Sequence, residues 1–447
     1  MAHAYALCFV AAKQAAAQNG RLIPEAGHTR RRPGTEKTVL PHLIESFADM
    51  APFVALRRDL HAHPELGFEE HRTSAIVAER LAAWGVEVHT GLAGTGVVGV
   101  LHGRHTDARH GTRTIGLRAD LDALPLQEEN RFAHRSQHAG RMHACGHDGH
   151  TTMLLAAAWH LARTRDFAGT VHLIFQPAEE MGKAGARRMI DEGLFERFPC
   201  DAVFALHNFA LDRVGSFALN PGALMASSNT FRIVLHGQGT HASLPHTGTD
   251  PVAATIDLAQ QLQTLVARHV DSRERALLAV TQIQGSDAPN VIPDSAWVGG
   301  TVRTFSVAAL DILEAALRRQ AEHTALAHGC RAEIHFRRAS PPLVNHAAEA
   351  AFAAAVMREV AGDGAVDTQF PGVLAAEDFA HMLQARPGCY AFIGNGQGDH
   401  RLPGHGDGPC LIHNRSYDFN DDILAIGASY FVRLVERWLA VTQDTSP

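Results

Sequence analysis

The stretches 169–175 and 201–206 are apolar almost throughout, and helical segments separate them from each other and from a third strand-like stretch, 114–121. A strand with one solvated face alternates apolar and polar residues, so uninterrupted apolar strands belong to a sheet covered on both faces. Strands alternating with helices make that sheet largely parallel, in an α/β fold. In such sheets the polar turns that follow the strands are where active sites form.

One of these turns is dense in reactive groups. It reads Met142-His-Ala-Cys-Gly-His-Asp-Gly-His150, between the acidic strand Gly116-Leu-Arg-Ala-Asp-Leu-Asp-Ala-Leu-Pro125 and an apolar helix that begins near Thr151. Cys145 and His147 offer a thiolate and an imidazole, both strong ligands for zinc-like metals, from a single turn. The next apolar strand ends in Gln176-Pro-Ala-Glu-Glu180. Adjacent carboxylates repel unless a cation or a proton lies between them. If one of the pair ligates a metal, the other is left to accept a proton from a water whose pKa is lowered to about 7; a solvated loop pair is the plainer alternative.

His207 and His413 each end an apolar run and each precede an asparagine. A lone histidine after a strand more often caps or packs than binds metal. Five donors at the strand ends of one sheet change that balance. Cys145, His147, Glu180, His207 and His413 could hold two metals with one bridging ligand. Alternation points Asp120 and Asp122 to the same face, where one can orient a ligand imidazole or simply cap the strand-end turn.

Charge and composition narrow the class of function. With 40 basic and 47 acidic residues the net charge is −7, which argues against a nucleic-acid binder. No apolar run reaches the roughly 18 residues of a membrane span. The six cysteines follow no framework spacing, which reads as reduced thiols in a cytoplasmic protein. Residues 1–38 read as a poorly ordered extension, since no basic residue precedes their short apolar stretch and Lys13 interrupts it. A chain of 447 residues is long enough for more than one core.

Past Pro221 the pattern changes to strand–helix–strand–strand–helix–strand, a ferredoxin-like α+β unit over about 221–335. It is read as an insert that splits a catalytic domain into 39–220 and 336–447. His241 follows the flexible Gly237-Gln-Gly-Thr240, Asn290 lies in Pro289-Asn-Val-Ile-Pro293, and Arg303 lies in Gly300-Thr-Val-Arg-Thr304. Arginine suits a bidentate grip on a carboxylate, and His241 and Asn290 could donate to a developing oxyanion.

Several longer stretches carry a resemblance: Arg57-Arg-Asp-Leu-His-Ala-His-Pro-Glu-Leu-Gly-Phe-Glu-Glu70, Arg118-Ala-Asp-Leu-Asp-Ala-Leu-Pro125, His143-Ala-Cys-Gly-His-Asp-Gly-His150, Phe175-Gln-Pro-Ala-Glu-Glu180, Gly239-Thr-His-Ala-Ser243, Ala376-Glu-Asp-Phe379 and the His413 segment. The chain resembles the co-catalytic metallopeptidase family of aminoacylases and carboxypeptidase-G-type enzymes. Within it, the chain is most similar to the amidohydrolase branch of hippurate hydrolases and N-acyl-amino-acid amidohydrolases. The resemblance implies two divalent metal ions per subunit, manganese or zinc first and nickel or cobalt also admissible. It assigns them Cys145, His147, Glu180, His207 and His413 as ligands, with Glu179 as general base. It brings His241, Asn290 and Arg303 toward the substrate carboxylate or the oxyanion, and makes the inserted unit a lid that mediates a homodimer. In such dimers the lid histidine can act on the partner's active site. The implied substrate is a small hippurate-like N-acyl amino acid; dipeptide cleavage and a catalytically silent metal-binding role stay open. The N-terminal extension and the loop His400-Arg-Leu-Pro-Gly-His-Gly-Asp-Gly-Pro409 depart from the family pattern.

Overall fold

The computed structural model describes residues 43–105 and 113–440; the extension expected over 1–38 lies outside the described residues. Helices α1 (Ala51–Ala62) and α2 (His71–Ala83) precede strands β1 (Glu87–Leu92), β2 (Gly96–His102) and β3 (Thr114–Asp120). Then come α3 (His147–Thr164), β4 (Thr170–Gln176), α4 (Gly185–Asp191), β5 (Ala202–Phe209) and β6 (Phe217–Ala218). A second group follows: β7 (Ser228–His236), α5 (Pro251–Leu262), β8 (Ala276–Gln284), β9 (Ser295–Thr304), α6 (Val307–Ala327) and β10 (Arg331–Ser340). The chain closes with α7 (Ala347–Ala361), β11 (Val366–Asp367), β12 (Gly388–Gly394) and α8 (Leu424–Trp438).

The apolar strands pair as their composition requires. One eight-stranded sheet has the order β1-β2-β4-β3-β5-β12-β6-β11. Its centre is parallel (β4, β3, β5 and β12), while β1 and β2 add antiparallel at one edge. No residue of these four central strands is exposed, because helices cover both faces. Phe204 and Leu206 pack on the face held by α3, α7 and α8, whereas Val203 and Ala205 pack with Met189 of α4 on the other. Parallel strands all end at the same edge, so every loop that leaves β3, β4, β5 and β12 gathers there.

The helix expected over 40–61 is shorter. A single 3-10 turn, Glu45–Phe47, is followed by α1 from Ala51. Pro52 explains the start, since a missing N–H is harmless only in the first helical turn.

The second group forms its own four-stranded antiparallel sheet, β8-β9-β7-β10, with α5 and α6 packed on one face. Phe231, Ile233, Leu258, Leu313 and Leu317 make its core. This is the ferredoxin-like order read from the sequence, with the last strand running on to Ser340.

α3 is enclosed for most of its length and crosses α8 closely. A Cβ added at Gly149 would overlap the ring of Phe419. Alanine would gain about 1 kcal/mol in helix propensity, whereas overpacking costs about 1–3 kcal/mol. Gly149→Ala is therefore expected to lower the urea midpoint of unfolding. An unchanged or raised midpoint would show that Phe419 moves aside freely.

Candidate metal centre

Cys145, Glu180 and His413 sit on segments that follow the parallel strands, His147 opens α3, and His207 lies within β5 near its end. Cys145 and His147 flank Gly146, whose φ of 92° is open mainly to glycine, and a Cβ there would overlap the Asn208 side chain. The glycine thus lets the turn reverse tightly enough to present both donors.

The loop after β4 carries Glu179 and Glu180 on a strained backbone. Ala178, Met181 and Ala184 have φ of 55°, 62° and 59°, left-handed values that non-glycine residues rarely adopt. Buried acids hold it there. Glu70 accepts the Ala178 N–H at 2.8 Å, and Asp122 accepts the N–H groups of Glu179 and Glu180 at 3.1 and 3.0 Å. On its far side, Arg337 of β10 donates to the Gly182 carbonyl at 2.7 Å. His413 is left-handed as well, at φ 63°, and its N–H donates to the Ala144 carbonyl at 2.7 Å.

These backbones bring the five donors together. The ligand atoms of Cys145, Glu180 and His413 lie within 4.8 Å of one another, and so do those of His147, Glu179 and Glu180. The Cys145 sulfur is also 3.4 Å from His207 Nε2, so it stands between the Glu180–His413 side and the His207 side. His207 donates from Nδ1 to the Asn208 carbonyl at 2.6 Å, which leaves Nε2 as the nitrogen turned to the sulfur. Asp120 Oδ2 lies 3.7 Å from His147 Nε2 and Asp122 Oδ1 lies 3.4 Å from Nδ1, so the two acids flank one imidazole.

Carboxylates crowd the cluster. Burial, then the Glu180 and Glu179 carboxylates, push the Cys145 thiol well above its usual range. Burial and then Glu377 and Glu180 likewise raise Glu179. Burial would lower His147, yet Asp120, Asp122 and Glu180 raise it to about 10. Both ring nitrogens of His147 are buried without a hydrogen-bond partner among the described residues, and Oε1 of Glu180 faces the His413 Nε2 at 3.2 Å. Orphaned donors, a thiol and crowded carboxylates fit divalent cations, whose charge would ionise the sulfur and use the free lone pairs.

Three predicted residues lie elsewhere. His241 and Asn290 meet on a small exposed ribbon, where the Ala242 N–H donates to the Asn290 carbonyl at 3.0 Å. Arg303 sits on β9, paired with Leu277. No hydrogen bond or ion pair between described residues joins the three to the cluster. Other residues were missed. Arg118, fully buried, donates to Asp120 and Gln176 at 2.8 Å and to Glu377 at 2.9 Å. Glu377 and Asp378 come within 4.8 Å of Glu179. Only the motif Ala376-Glu-Asp-Phe379 marked them in the sequence, and it named no partner.

The model of peptidase family M20/M25/M40 matches residues 116–437. The chain belongs to this family. It is a hydrolase of that class. It is 37% identical over 399 residues to hippurate hydrolase of Campylobacter jejuni, covering 89% of this chain and 100% of that one. It is 36% identical over 381 residues to N-acetyl-L-cysteine deacetylase of Bacillus subtilis, covering 85% and 86%. A solved Bacillus subtilis structure, described as a dinuclear metal binding peptidase from this family, superposes with a TM-score of 0.73 at 30% identity, covering 87% and 98%. No helix among the described residues is long and apolar enough to cross a membrane.

Beneath the cysteine turn lies a second buried network. His61 Nδ1 is 2.9 Å from Asp148 and Nε2 is 3.3 Å from Glu128. Burial would lower its pKa, but Asp148 and then Glu128 raise it from 6.5 to about 9. A raised folded-state pKa means stabilisation that is complete below 6.5 and lost as pH rises through about 9. Urea unfolding from pH 6 to pH 10 (about one unit beyond that pKa) is expected to show this loss in wild type and not in His61→Asn. Parallel curves for the two proteins would contradict the ion-pair account.

Proposed function

We propose that the chain hydrolyses the amide bond of small N-acyl amino acids, hippurate-like compounds foremost, releasing a carboxylic acid and a free amino acid. One observation carries the reading: Glu179 stands within 4.8 Å of His147 and Glu180 but outside the set formed by Cys145, Glu180 and His413. That is the place of a base beside a metal pair. The named activities of the hippurate hydrolase and deacetylase relatives support the same substrate class.

In this reading Cys145, His147, Glu180, His207 and His413 hold two divalent ions, manganese or zinc, with nickel and cobalt admissible. Thiolate favours zinc, while the carboxylate and imidazoles also suit manganese. When bound, such a pair supplies Lewis acidity to the scissile carbonyl and lowers the pKa of the attacking water. Glu179 takes the proton of that water and later delivers it to the leaving nitrogen. Asp122 fixes Glu179 through its backbone N–H, which sets the base in place before substrate arrives. Arg303 is assigned to the substrate carboxylate, and the exposed His241 and Asn290 to the oxyanion of a partner subunit in a homodimer.

Glu179→Gln is expected to lower kcat by about 10²–10⁴-fold while keeping its metal content. Wild-type turnover in that variant would remove the base assignment. Chelated protein reloaded with zinc, manganese, cobalt or nickel and given a panel of N-acyl amino acids is expected to release amine with at least one metal. Metal uptake without amine release from any acyl amino acid or dipeptide would leave a binding protein instead.

A further inference from the structure

We propose that His150, Asn208 and Tyr417 form a buried positioning network that aims His207 and the Cys145–His147 turn at the ions, a role that presupposes the two-ion reading above. All three are 0–1% exposed. His150 Nδ1 lies 2.6 Å from Asp120 Oδ1, and its Nε2 lies 2.7 Å from Asn208 Oδ1 and 3.0 Å from the Asn208 backbone nitrogen, bonding the first as a donor or the second as an acceptor. Asn208 Nδ2 donates to the Tyr417 hydroxyl at 2.7 Å.

The network joins three separate stretches that carry donors. His150 belongs to the first turn of α3, just past Cys145 and His147. Asn208 follows His207 at the end of β5. Tyr417 lies in the loop that carries His413. Asn208 is the hub, because its backbone carbonyl also takes the Nδ1 proton of His207 and so leaves Nε2 to the sulfur side. The His150 and His207 rings are only 4.3 Å apart between centroids, so a shift of one is felt by the other. The Cβ that Gly146 lacks would strike both Asn208 and the Tyr417 hydroxyl. The cysteine turn therefore rests directly on the network, with no layer between.

Groups of this kind fix the tautomer and direction of ligand imidazoles, and their loss usually weakens metal binding 10–100-fold. They are positioning residues, so the decisive readout is the ligand field and not turnover. Chelated protein is titrated with Co(II), following stoichiometry, affinity, the d–d bands and the sulfur-to-cobalt charge-transfer band. Wild type is expected to take two ions. Tyr417→Phe is expected to bind at least one of them ~10-fold or more weakly, with shifted bands. Tyr430→Phe serves as control, since Tyr430 is fully buried and its hydroxyl has no hydrogen-bond partner among the described residues; it is expected to match wild type. If Tyr417→Phe does not fold, His150→Gln carries the same expectation. Wild-type affinity and spectrum in the folded variants would overturn the network while leaving the two-ion reading intact. Failure of wild type to bind cobalt would overturn that reading itself.

Discussion

Crowded negative charge at the end of one sheet is the constraint on which this structure turns. Asp120, Glu377 and Asp378 meet the buried guanidinium of Arg118, and Glu179 and Glu180 crowd beside them and a buried thiol. Desolvated carboxylates at this spacing are costly unless cations or donors face them. Backbone N–H groups meet part of the demand, as at Asp122, and Arg118 meets another part. The remainder falls on His147, whose ring nitrogens have no hydrogen-bond partner among the described residues, and on Glu180 and Cys145, which face the imidazoles of His413 and His207. Fold and chemistry are thus the same problem: the helices on both faces bury the strand ends, and burial makes those ends need metal.

Much of this was legible in the chain. The apolar strands 169–175 and 201–206 required a covered sheet, and the donors at 145, 147, 180 and 413 follow its strands while His207 lies near the end of one. For Asp120 and Asp122 alternation left two readings, orienting a ligand imidazole or capping a turn; both carboxylates lie beside His147, and Asp122 also accepts the N–H groups of Glu179 and Glu180. The ferredoxin-like order of the second sheet was readable because each of its strands and helices has its own period. Local pattern gave less elsewhere. Nothing near Asp122 in the chain indicates that its carboxylate would hold the amides of Glu179 and Glu180, since that bond spans a crossover. Glu377 lies 259 residues from Arg118, beyond any periodicity.

Arg303, His241 and Asn290 illustrate a different limit. Their residue types suggested a grip on substrate, but type does not say where a second sheet sits relative to the first. His241 and Asn290 are exposed and joined only to their own ribbon in one protomer. The proposed completion by a partner subunit is a matter of assembly, which no spacing within one chain encodes.

The left-handed backbones at Ala178, Met181, Ala184 and His413 carry a further consequence. Each is a conformation that a free peptide would leave spontaneously, and Ala178 and His413 are held there by bonds to Glu70 and to the Ala144 carbonyl. In the two-ion reading, loss of the ions and loosening of these tethered loops are one cooperative event, since the same backbone turns present the donors and depend on their neighbours to stay bent.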